Sequence, residues 1–572
     1  MKKIITTLLA VILLSGTMFA CNSVPDEYKG KTVLEFSVYN GGYGVAYAEK
    51  LAADFNASRT DGYAIRIIPE KRNGQDIAFE LNTGYSTKSG YILSGLDIMS
   101  AVYQDSLEDL SDVALRTVDG TDKTIGDKIL RKDIWESMFK VNGKLYALPY
   151  GDSLAGLNYD HDLFIEKNWY NFATAADGEK LTAQGITYHA QGNRLVFDSS
   201  TGSTNYESGD FILAAGKDGK FGTYDDGQPV NEKEWADMLK KILTSASPFI
   251  WSDKDDYTAL LFGAVVASYV GEETYRQLFT FDSNGKEVEM QDGSKVVLDI
   301  KNGYKAYGAK GIYQALQFFN TYFNSAAATN YTHSACEDNS KSYTDIQNLF
   351  LLGYTNDKLN KLSAMIVEGT WWENEARTMF DNLEAINPDR GFGKREYRMM
   401  LLPDFEGQKS DKTIMFTGDT GCLFLKKESD PKKAEVAKDF LAYILTDDSL
   451  RYFTKTTGNN LAYDYTMTEE EKSALTPYSR NVYELYHDDE NIEIIRPLVI
   501  ENLSPLCFAT DKKGFYYSMM PKIDKVFVLS QTRALRQYGF ETTWNGIKNA
   551  YGEKDWQDFI AKAKEQGFYA DL

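Results

Sequence analysis

The sequence predicts an α/β fold in two lobes, and three observations predict it. Its first folded stretch reads strand, helix, strand, the order that begins a parallel sheet. At 572 residues the chain is too long for one hydrophobic core, and the usual domain size suggests roughly two to four. The segment beginning at Gly143 carries apolar sequence through polar residues into a second apolar stretch, as a chain does when it crosses between lobes, and the segment beginning at Thr456 looks like another crossing.

Taken in order, VLEFSVY (33–39) places Leu34, Phe36 and Val38 on one face of a strand. The glycine-rich turn NGGYG follows, then Ala48, Leu51, Ala52 and Phe55 at helical spacing. YAIRII from Tyr63 and LDIMS from Leu96 read as further strands. The run GKLYALPYGDSLAGLNYDHDLF from Gly143 is the first crossing, and the composition of 168–229 shifts to Gly, Asp, Ser, Thr and Asn. That shift predicts an insertion of hairpins and loops on the second lobe. Sheet-like sequence returns at YRMMLLP (397–403) and at 421–425. A helix then starts with Asp430 as N-cap and Pro431 in its first turn, with Ala437, Phe440, Leu441 and Ile444 on one face. TTGNNLAYDY from Thr456 is the second crossing. The tail ends in an amphipathic helix burying Trp556, Phe559, Ile560 and Ala563.

The N-terminus carries an address. Lys2 and Lys3 precede an apolar run from Ile4 to Leu14, then small residues, then Ala20-Cys21. This is the pattern of a secretory signal, and its apolar core falls well short of the ~20 residues that span a bilayer. MFAC is similar to the lipobox of bacterial lipoproteins, in which the cysteine takes a diacylglyceryl group, although Met18 and Phe19 depart from the usual pair. The expectation is a signal peptide over 1–20, a lipid anchor at Cys21 and a polar tether over 21–30. Such a protein works outside the cytoplasm, held at the cell membrane, with a single-membrane bacterium of Gram-positive type as the expected host. The net charge of −21 disfavours nucleic acid as a partner. Cys336, Cys422 and Cys507 are too few and too far apart for a disulfide framework and read as small buried residues.

Four fragments in order carry a resemblance: KLYALPYGDSLAGLNYDHDLF, AMIVEGTWWENEA from Ala364, LLPDFEGQKSDKTIMFTGDTGCLFLKKESDPKKAEVAKDFLAYIL from Leu401, and the closing WQDFIAKAKEQGF. The chain resembles the extracellular solute-binding proteins of ABC importers, and within them the carbohydrate-binding family that includes maltose-binding protein. The resemblance implies a two-lobe periplasmic-binding-protein-like fold with hinge strands and a ligand cleft between the lobes. It sets lobe one at 31–149 and 404–455, and lobe two at 150–403 and 456–572. It also implies ABC permease subunits as partners, hinge closure on the ligand and no catalysis; a monomer is expected.

A sugar offers an apolar C–H face and a rim of hydroxyls, so its site needs aromatic platforms with carboxylate and amide partners. In the family a strand ending in glycine leads to a tryptophan that stacks on the sugar, which marks Trp371, with Trp372 beside it and Glu368 and Glu373 flanking. Tyr39, Asn40 and Tyr43 follow the first strand, where an α/β sheet meets its ligand. Tyr150 and Asp152 at the first crossing and Asp419 in FTGDTG join the expected ligand set, with Trp251 in SPFIWSD either lining the cleft or buried. No cofactor is expected to be required. The run DGKFGTYDDG raises the expectation of a structural calcium ion on Asp218, Asp225 and Asp226, set against a plain solvated turn.

Enzyme motifs fail on their spacing. GYKAYGAKG from Gly303 lacks the Gly-Lys-Ser/Thr of a phosphate loop, the surroundings of Ser153 lack the second glycine of a nucleophile elbow, and the four histidines are scattered. Two readings stay beside the importer: a membrane-anchored glycan-processing enzyme, which needs only two carboxylates, and a glycan-binding surface protein that works without a transporter.

Overall fold

The computed structural model describes residues 26–565, apart from 73, 96–97, 119, 203, 354–361, 502, 505 and 507–518. The expected signal segment, the expected anchor residue Cys21 and Cys507 lie outside the described residues. Among them, no helix is long and apolar enough to cross a membrane.

Nine strands among the described residues form one continuous sheet: β1 (Thr32–Tyr39), β2 (Tyr63–Glu70), β3 (Gly90–Ser94), β4 (Leu148–Asp160), β5 (Ser247–Ile250), β6 (Ser363–Gly369), β7 (Tyr397–Met400), β8 (Thr413–Leu425) and β9 (Ile492–Ile495). β1 pairs in parallel with β2 and β3, as the alternation of VLEFSVY and the helix Ala46–Ala57 require. That helix buries Ala48, Leu51, Ala52 and Phe55, the residues its spacing selects. Phe36 meets Phe440 of the helix Pro431–Ile444 edge to face, 4.9 Å between ring centres. Asp430 caps that helix by accepting N–H bonds from Lys432 and Lys433.

The described part of LDIMS, residues 98–100, is not a strand. β3 ends at Ser94, and Met99–Tyr103 is a short helix. A brief apolar run cannot by its periodicity separate strand from helix.

Two long strands tie the halves together. Every residue of β4 is buried, because sheet neighbours and covering layers enclose both faces. β4 and β8 run antiparallel, with register shifts between Thr417 and Asp419 and between Thr420 and Cys422. Their ends belong to different cores: Leu148, Tyr150, Cys422 and Leu423 pack in one apolar cluster, Leu154, Leu157, Ile414 and Phe416 in a larger one. Between the clusters both strands turn polar and glycine-bearing, as Gly151, Asp152 and Ser153 on β4 and Thr417 to Gly421 on β8. These two segments are the connections between the lobes.

The core boundaries differ from the sequence expectation in two places. Phe405 and Ile414 to Phe416 belong to the larger cluster, so β8 crosses within itself and not at residue 404. Leu461, Tyr463, Tyr465 and Met467 stay with the smaller cluster. The next passage instead spans the helix Pro477–Tyr486, which gives Tyr483 to one core and Tyr478, Val482 and Leu485 to the other, and Val499 further on returns to the smaller core. The insertion forms the antiparallel hairpin Ile186–Gln191 and Arg194–Ser200 over a small apolar cluster of its own, including Leu181, Ile186, Leu195 and Phe197.

Candidate functional site

The carboxyl ends of β1, β2 and β3 in one lobe face the ends of β5 and β6 in the other, with the middle of β8 as the floor. A cavity of about 420 Å³ lies there. Lobe one supplies Tyr39, Asn40, Tyr43, Lys71 and Ser94; lobe two supplies Tyr257, Tyr343, Trp371 and Glu375; β8 supplies Gly418 and Asp419. Open α/β sheets meet ligands at the carboxyl ends of their strands.

Trp371 is held at the hinge by its neighbours. The Thr370 N–H donates to the carbonyl of Leu154 on β4 at 2.8 Å, and its hydroxyl to Asn459 Oδ1 at 2.7 Å. The indole then lies over glycines from three segments. A Cβ at Gly369 would sit 2.1 Å from the ring, one at Gly42 2.8 Å from the Trp371 Cβ, and one at Gly418 2.9 Å from the ring. Those glycines exist so that a flat ring can press against backbone. One edge meets Tyr257 at a ring separation of 6.2 Å and 83°, and Tyr257 in turn stacks on Tyr343 at 20°. The half-buried Trp371 lines the cavity.

Asp419 accepts a hydrogen bond from Ser94 Oγ at 2.5 Å. Burial pushes its carboxyl up to about 6, with Asp152 adding in the same direction. The Tyr39 hydroxyl is raised by burial, then by Asp419 and Glu375, and Tyr43 is raised well above its usual value by burial and Asp419. Both therefore stay neutral hydroxyls that can donate or accept. Glu375 accepts from Gln347 Nε2 at 2.8 Å, and the same amide nitrogen lies 3.1 Å from Glu368 Oε1. Burial raises the Glu375 carboxyl too.

Of the expected ligand residues, the cavity brings together Trp371, Tyr39, Asn40, Tyr43 and Asp419. The others lie elsewhere. Trp372 is fully buried against Tyr397 and Tyr478, because the chain turns into the helix Trp372–Glu375 and points successive side chains apart. Glu373 is buried beside Thr476, which donates to Oε2 at 2.8 Å. Tyr150 lies under Tyr47 and Phe453, one layer behind Tyr43. Asp152 is fully buried and paired with Arg496, whose Nε is 2.9 Å away. Trp251 packs against Phe323 in the larger core. Glu368 is buried behind Glu375. Sequence reasoning missed Tyr257, Tyr343, Lys71, Ser94 and Glu375. Glu375 could have been found, since it follows Trp371 by one helical turn and so shares its side.

The aspartates expected as calcium ligands hold the groups of a turn. Asp225 Oδ2 accepts the Asp218 N–H at 3.2 Å, Asp226 Oδ2 accepts the Gly222 N–H at 2.7 Å together with the Tyr206 hydroxyl, and Asp218 Oδ1 accepts the Lys220 N–H at 2.7 Å. Among the described residues no group of three or more His, Cys, Asp or Glu side chains is arranged to hold a metal ion.

Glu373 carries a pH signature. Burial pushes its carboxyl from 4.5 up to about 7, the Thr476 bond only partly opposing this. The folded state therefore takes up a proton that the unfolded chain does not hold, and stability falls as pH rises between those two values. Glu373→Gln removes the charge. Its melting temperature relative to wild type is expected to rise between about pH 5 and pH 8; thermal curves that shift in parallel would show that Glu373 does not titrate there.

The sequence finds no match among curated proteins. The fold does match solved structures. A chitin oligosaccharide binding protein aligns with a TM-score of 0.52 at 12% identity, covering 93% of this chain and 99% of its own. RafE from Streptococcus pneumoniae aligns at 0.52 and 11%, covering 92% and 98%. Maltose-bound MalE3 from T. maritima aligns at 0.51 and 15%, covering 93% and 99%. At these identities the agreement establishes the two-lobe fold. A family model described as bacterial extracellular solute-binding protein matches residues 50–336. That is a family of receptors, not of enzymes, and this chain belongs to it: it is a bacterial extracellular solute-binding protein.

Proposed function

We propose that the protein captures an extracellular carbohydrate, an oligosaccharide, in the interlobe cleft and delivers it to ABC permease subunits. The observation that carries this reading is the makeup of the cavity. Trp371, Tyr257, Tyr343 and Tyr39 present flat apolar surface, while Asn40, Ser94, Glu375 and Asp419 present acceptors and donors at its edge. A ring with an apolar face and a rim of hydroxyls needs that combination.

Both lobes and the hinge strand contribute to the wall, so a ligand that touches all of them favours the closed arrangement by its extra contacts there. The permeases would read that closed form. Anchoring through Cys21 would keep the receptor near its transporter, raising the effective concentration of each for the other.

Titration calorimetry against a panel of oligosaccharides, with the products analysed by chromatography, tests the reading. Saturable binding with the sugar recovered intact is the expected result. No heat from any sugar would remove the carbohydrate assignment, and cleaved products would replace the receptor with an enzyme.

A further inference from the structure

The carbohydrate reading leaves the charge of the cleft unexplained, because acidic groups outnumber basic ones in its wall. Glu375 and Asp419 reach the cavity, and Glu368 and Asp255 stand directly behind Glu375. The charged groups that weigh most on Tyr39, Tyr257 and Tyr343 are all carboxylates: Asp419 and Glu375 on the first, and Glu368, Glu375 and Asp255 on the other two. Arg496 is spent on Asp152, whose carboxylate its Nε reaches at 2.9 Å. Lys71 lines the cavity from an exposed position and is not among the groups acting on Glu375 or Asp419.

What the protein offers these carboxylates is weak. Gln347 divides one amide nitrogen between Glu368 and Glu375, Glu368 also accepts the Gly369 N–H at 3.0 Å, and Asp419 has a hydroxyl donor in Ser94. Neutral donors leave the negative charge in place, and a partly buried charge without a cation is costly. Burial accordingly raises the carboxyls of Glu375, Glu368 and Asp419 above their ordinary range. A ligand cation would supply the missing charge. Aromatic rings grouped with carboxylates are also the surroundings that favour an ammonium, which is drawn to the π faces as well as to the acids.

We propose that the solute selected by this cleft is a saccharide bearing a protonated amino group, with the ammonium lodged beside the Tyr39 hydroxyl between Glu375 and Asp419. Tyr39 marks the place because it lines the cavity together with both carboxylates, and both act on its hydroxyl. The proposal rests on the carbohydrate reading of the same cavity and names the chemical feature that the site distinguishes.

The test uses matched series of mono- to tetrasaccharides: each neutral sugar, its counterpart with one hydroxyl replaced by a primary amine, and the N-acetylated form of that amine. Calorimetry at neutral pH and low salt is expected to show the amine form binding more than about tenfold tighter than both partners, as a charge-assisted hydrogen bond allows. Glu375→Gln and Asp419→Asn, each checked for an intact thermal transition, are expected to cut that preference by about tenfold. If neutral or N-acetylated sugars bind as tightly as the amines, the charge assignment is overturned and the carbohydrate reading stands. Should the amines win in the wild type but keep their full preference in both variants, the placement between these two carboxylates is overturned. If no sugar of any series binds, both readings fall together.

Discussion

Trp371→Ala is expected to weaken saccharide binding by more than about tenfold, with a melting transition close to that of the wild type. The indole is the broadest flat surface in the cavity, and it is half-buried before any ligand arrives. Removing it takes away the apolar area that a sugar ring would cover, worth about 1.5–3 kcal/mol for a large side chain. Each 1.4 kcal/mol is about a factor of ten in affinity. The same change leaves the cores intact, because Trp371 rests on Gly42, Gly369 and Gly418 at the cleft surface, whereas Trp372 fills the larger core. Titration calorimetry that returned the wild-type affinity would remove Trp371 from the site.

The second large effect is on stability. Asp152→Ala is expected to cost about 3–5 kcal/mol, the penalty for leaving one member of a buried ion pair alone. Asp152 is 0% exposed and Arg496 3% exposed. The carboxylate also accepts the Tyr486 hydroxyl and, at 3.4 Å, the Thr420 hydroxyl of β8. Deleting it strands a guanidinium among groups it cannot share. A paired replacement, Asp152→Leu with Arg496→Met, is expected to recover most of the loss, since apolar residues of similar volume can substitute for a buried pair. Denaturant unfolding measures both. A single variant that loses less than about 1 kcal/mol would mean that the pair is screened by solvent.

Much of the architecture was legible because it rests on local chemistry. The alternation in VLEFSVY and the Asp430–Pro431 helix start are fixed by neighbours a few residues away. The cleft loop after β1 was legible for a similar reason, since a glycine turn at the carboxyl end of a parallel strand has few other places to go. What could not be read depends on distance. Asp152 looks like a ligand residue because it is polar at a crossing, but the arginine that claims it is 344 positions along the chain. Trp371 and Trp372 are adjacent and chemically alike; only the turn into a short helix decides which faces the ligand and which the core. The same turn buries Glu373 and brings Glu375 to the cavity. Trp251 takes the buried of its two alternatives, and Tyr257, six residues on, is the aromatic that this segment delivers.

The arrangement of the indoles also makes the molecule its own optical reporter. Of the 8 tryptophans, seven are no more than 4% exposed, at positions 135, 169, 235, 251, 372, 544 and 556. Trp371 alone meets solvent appreciably. A water-soluble quencher must therefore act almost entirely on one ring, and a solute that covers this ring shields the accessible part of the emission while the buried majority continues to glow as an internal standard.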